Sequence, residues 1–133
     1  MKNTTIAAIC LVIFSSALYP FERSDIKGKW EQTDNACNGC RILFAAADAN
    51  TMMAQFVHLK GKYAKVFNAN DTKFKVYNKI GENRWRAETL YKRFDSVTYE
   101  IKYQKYNPCE LKLTEKDKME ITCSGSTSHW KKI

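Results

Sequence analysis

From Phe74 to Cys123 the apolar residues return at nearly every second position, and no other feature of the chain narrows its fold as much. A period of two marks strands with one face buried and one wet. Over 73–80, Phe74, Val76 and Ile80 share one face, while Lys73, Lys75 and Lys79 take the other. Gly81, Glu82 and Asn83 then turn the chain. Trp85, Ala87, Thr89 and Tyr91 follow on one face, against Arg84, Arg86 and Glu88. After a turn at 93–96, Val97, Tyr99, Ile101 and Tyr103 alternate with Thr98, Glu100 and Lys102. Pro108 is expected to break this run and stand at the start of the next strand, because proline cannot donate to a sheet ladder. Segments 109–113 and 119–123 alternate as well, joined by a charged turn, and Gly125 bends the chain into a closing stretch, 126–133. Half-apolar strands joined by short turns predict an antiparallel meander over 72–124, without a long helix.

The stretch 42–60 reads two ways. At helical spacing, Ile42, Ala45, Ala49, Met52, Phe56 and Leu59 fall at threes and fours, and Gly61 caps the end. As a hairpin, 40–46 and 51–59 are strands around Asp48-Ala49-Asn50, which suits a turn. The local pattern leans slightly to helix, but the neighbouring strands favour the hairpin, and strand is the expectation. The fold class is mainly β, with the alternative an α+β fold carrying one helix around 42–60 on the sheet.

The first residues read as a separate unit. A weakly basic start is followed by an apolar run over 6–17, too short to span a bilayer as a helix. Ser15 and Ala17 stand at the −3 and −1 positions of a cleavage pattern. We expect a signal peptide over 1–17 and one domain over 18–133, secreted or periplasmic, with no stable membrane span once the signal is removed.

Cleavage removes Cys10 and leaves Cys37, Cys40, Cys109 and Cys123. An even count in an exported chain predicts two disulfides. A redox Cys-x-x-Cys needs a helix N-terminus and a parallel βα setting, and neither surrounds Asn38-Gly39. The wide spacing of the second pair does not suit zinc, so no metal site is expected. Pairing Leu111 with Ile121 sets Cys109 opposite Cys123, which leaves Cys37 to Cys40. The rival connectivities join the front pair to the late strands, 37–109 with 40–123 or the reverse.

Gly28-Lys29-Trp30 stands just ahead of these strands. The triplet, its position and the basic end resemble the calycin superfamily, the lipocalin-like β-barrels. The resemblance covers only those features. It implies a meander closing into a small barrel, trimmed relative to a full lipocalin. It implies that Gly28 relieves crowding, that Trp30 closes the barrel floor, and that a basic residue near the C-terminus packs on its ring. Lys131 and Lys132 are the two available, and Lys131 is the expectation. The resemblance further implies an interior able to hold one small apolar ligand.

No catalytic set stands out, and no cofactor is expected. His58 and His129 are the only histidines and suggest no shared metal. By parity Phe74, Trp85, Tyr99 and Tyr103 face inward and are the candidate ligand-binding residues. A net charge of +8 favours anionic partners, although its lysines are spread along the chain. Nucleic acid is disfavoured by export. Asn70-Asp71-Thr72 is a glycosylation sequon, meaningful only in a eukaryotic secretory pathway. Two functions are therefore expected: a non-catalytic binder of a small apolar ligand, or a secreted interaction module such as an inhibitor, immunity factor or effector, binding an acidic protein.

Overall fold

The computed structural model describes residues 21–133; the signal peptide expected over 1–17 lies outside them. Eight strands form among the described residues: β1 (Gly28–Gln32), β2 (Arg41–Ala46), β3 (Met52–His58), β4 (Thr72–Gly81), β5 (Arg84–Phe94), β6 (Ile101–Glu115), β7 (Lys118–Cys123) and β8 (Ser126–Lys132). One short helix, α1 (Tyr63–Val66), lies between β3 and β4. Each strand pairs antiparallel with the next, and β8 returns to β1, so the sheet closes into a barrel. The 42–60 stretch is a hairpin, β2 with β3, and the helical alternative does not form. Asp48 Oδ1 accepts the Asn50 amide at 2.7 Å and holds the turn.

Residues 21–27 lie across the end of the barrel where β1 starts. The Phe21 amide donates to Asn83 Oδ1 in the β4–β5 turn at 2.7 Å, and Arg23 reaches Ala49 O in the β2–β3 turn at 3.1 Å. Ile26 is buried there, and the Trp30 indole N–H donates to its carbonyl at 2.8 Å. The cation over the Trp30 ring belongs to Lys132, at 5.5 Å, and it also donates to Asp25 O at 3.0 Å. Lys131 is exposed and pairs in register with Glu31, on the other face of β8. Parity explains the correction: neighbours along a strand point to opposite faces. Gly28 has φ 116°, and a Cβ there would lie 3.3 Å from Lys132 Cε, so both conformation and space call for glycine.

The alternation over β4–β6 departs from expectation at three places. A register shift between Val76 and Lys79 turns Ile80 outward, where it is 47% exposed. Pro108 does not end a strand, because β6 runs through it from 101 to 115. Pairing of β6 with β7 starts only at Cys109–Cys123, so Pro108 sits where that neighbour ends and its missing N–H leaves no break in the ladder. Third, β5 and β6 outrun the barrel. Residues 90–94 have no β4 partner and 101–108 no β7 partner, so the two form a protruding arm. Leu90 and Lys92 are buried on one face of the arm, whereas Tyr91 and Tyr103 on the other face are 42% and 44% exposed. Val97 is 83% exposed and belongs to the arm's tip, where Tyr99 takes φ 58°; no strand forms over 97–100.

Candidate functional site

The end opposite the 21–27 segment is open. It is bounded by the ends of β1, β3 and β7, the starts of β4 and β8, and the arm. A cavity of about 560 Å³ enters the barrel there, within the usual range for small-molecule sites. Phe56, Phe74, Ile121 and Trp130 supply its apolar wall, and Gln32, Thr89, Asn107 and Ser128 supply polar groups. Phe74 meets Trp130 edge to face, centroids 5.7 Å apart, and the Trp130 indole N–H donates to Ser128 Oγ at 2.8 Å. These contacts hold the wall in one arrangement.

Of the four residues read as ligand-binding, the cavity takes Phe74 alone. Trp85 is fully buried in the core. Tyr99 stacks on Phe94 at the arm, with centroids 6.0 Å apart. Tyr103 has the inward parity expected of it, but lies beyond the rim, beside Tyr91 at 6.3 Å. Trp130 was open to reading, two residues from Lys132 in the closing stretch. Lys73 was not. Its parity assigns it to the solvent face, and only a bulge makes it a cavity residue. Ala54 pairs with Phe74 and Gln55 with Thr72, so Lys73 is the unpaired extra residue between them.

The bulge sets two lysines close together. Lys92 is buried and donates to Asp71 Oδ2 at 2.6 Å and Val66 O at 3.0 Å. Lys73 Nζ donates to Leu90 O at 3.0 Å and lies 4.6 Å from the Phe67 ring centroid. Burial, with a smaller contribution from the Lys92 charge, lowers its pKa to about 8. Phe67 packs between Phe56 and Tyr63, so the α1 segment forms a lip over the mouth.

Both disulfides are local, Cys37 to Cys40 and Cys109 to Cys123, with Cα atoms 5.3 and 4.4 Å apart. The first closes the loop after β1, where the Gly39 amide donates to Gln32 O at 2.7 Å. The second fastens the edge of β7 to β6 at the rim. Beside them His129 Nδ1 meets Asp34 Oδ2 at 2.6 Å, which raises the imidazole pKa above its ordinary 6.5. Among the described residues no group of three or more His, Cys, Asp or Glu is placed to hold a metal ion, and no helix is long and apolar enough to cross a membrane. A second concavity, about 380 Å³, lies on the outer face of β1–β3 between Lys29, Arg41 and Lys60. Comparison with protein-family models, curated proteins and solved structures finds no match.

Proposed function

We propose that the protein is a small, exported, non-catalytic binding protein that holds one apolar molecule in the open end of its barrel. Its Gly28-Lys29-Trp30 start is similar to that of lipocalin-like barrels, and the reading extends their mode of binding to this chain. The observation that carries it is the cavity of about 560 Å³, aromatic-walled at one end of a barrel covered at the other. Two disulfides are compatible with an oxidising, extracellular setting. The test is binding of N-phenyl-1-naphthylamine, a neutral apolar fluorophore, by the mature protein. Its emission should rise on binding to wild type. Thr89→Trp, which fills the cavity from its wall, should abolish the rise while the unfolding transition persists. A wild-type protein that leaves the emission unchanged contradicts the reading.

A second reading, a secreted module for an acidic protein partner, is supported by the arm. Its tip exposes Val97, Ile101 and Tyr103 beside Arg93, Lys102 and Lys105. Native mass spectrometry of protein purified from its source separates the two. A retained small mass supports the first, and a stoichiometric protein mass, lost on Val97→Asp with Ile101→Asp, supports the second.

A further inference from the structure

Resting on the cavity reading above, we infer that the bound molecule carries one carboxylate, and that Lys73 receives it at the mouth while the apolar remainder lies against Phe74, Ile121 and Trp130. The bulge between Thr72 and Phe74 is the first ground. A regular strand alternates its side chains, so Lys73 and Phe74 would face opposite sides; the extra residue lets both line the cavity. Re-aiming a cation into an apolar-walled space costs free energy unless something there uses it.

The hydrogen-bond inventory is the second ground. An ammonium carries three donors. Lys73 spends one on Leu90 O. Among the described residues no carboxylate oxygen comes within ion-pair distance of its Nζ. Asp71, the acid of this corner, is engaged by Lys92 at 2.6 Å, and that pair is neutral as a whole. One positive charge is left over at the mouth, and one monoanion balances it. The charge acting on Lys73 is Lys92 from β5, itself paired with Asp71 from the segment before β4; Tyr63 from α1 lines the same cavity, and burial raises its phenol pKa further above neutral pH. Phe67 links the corner, touching Tyr63 and lying under both lysines. An arriving carboxylate meets ammonium and phenol donors and no free acid among these groups.

The test is displacement of N-phenyl-1-naphthylamine by dodecanoate and by its neutral methyl ester. Wild type should prefer the acid by about tenfold or more, the scale of one charge-assisted hydrogen bond in a partly dry site. Lys73→Met should lose the preference, with acid and ester then displacing the fluorophore at similar concentrations, and Lys73→Arg should keep most of it. The preference should fade as pH rises through about 8, while ester binding holds steady. Equal binding of acid and ester by wild type, or a preference that survives Lys73→Met, overturns the inference and leaves the cavity reading standing. A fluorophore that never binds wild type overturns both.

Discussion

Trp30 joins three parts of the chain at once. Its backbone pairs with β2 and β8, its indole N–H ties down Ile26 in the segment across the barrel floor, and Lys132 lies over its ring. Trp30→Ala should therefore cost about 3–5 kcal/mol in denaturant unfolding, the range for a buried tryptophan. Lys132→Ala should cost about 1 kcal/mol, whereas Lys29→Ala and Lys131→Ala, both exposed, should stay within about 0.5 kcal/mol. His129 offers a pH test at the same scale. Its pKa is raised by the hydrogen bond and charge of Asp34, with a smaller part from Glu120. A raised folded pKa means the protonated form is favoured by folding. This contribution to stability is thus complete below pH 6.5 and is lost as pH rises through the folded value. An NMR titration of His129 should show a midpoint above 6.5, and Asp34→Asn should bring it down.

The Cys109–Cys123 bridge closes a hairpin with a sequence separation of 14, and cross-linking a loop of that length stabilises by about 3 kcal/mol in the chain-entropy account. Replacing both cysteines with alanine should lower unfolding stability by roughly that amount, while the other bridge remains. That hairpin was legible in the sequence, because Leu111 with Ile121 and Leu113 with Met119 admit one sensible register, and it sets the cysteines opposite. The arm was not legible. Val97, Tyr99, Ile101 and Tyr103 alternate as cleanly as the wall residues do, yet periodicity reports parity and says nothing of where a barrel's rim falls. The β4 bulges were hidden for a related reason: an inserted residue flips the faces of what lies beyond, and Lys73 and Ile80 have unremarkable neighbours in sequence. The arm also makes a prediction about dynamics. Its strands lack outer partners, and two-stranded ribbons are marginal in water. Backbone amides over 101–106 should exchange faster than those over 109–113, measured by hydrogen–deuterium exchange at neutral pH.

At the scale of the whole molecule, the fold separates closure from opening. The end that starts β1 is sealed by residues 21–27, buried Ile26 and the Trp30–Lys132 contact, and the opposite end leaves a cavity between Phe74, Ile121 and Trp130. The mainly β class followed from the period-two pattern, whereas a place at the floor for the front triplet was only what its resemblance to lipocalin-like barrels implied. The cavity wall did not, since it draws on seven of the eight strands and depends on closure, which no local pattern encodes. Its three tryptophans give the molecule a built-in reporter. Trp130 lines the cavity, while Trp30 and Trp85 are buried away from it. Indole N–H signals followed by NMR during addition of N-phenyl-1-naphthylamine report whether the fluorophore enters the cavity. The Trp130 signal should move with saturation while those of Trp30 and Trp85 stay in place. Movement confined to arm residues such as Tyr103, with all three indoles unmoved, would contradict binding in the cavity.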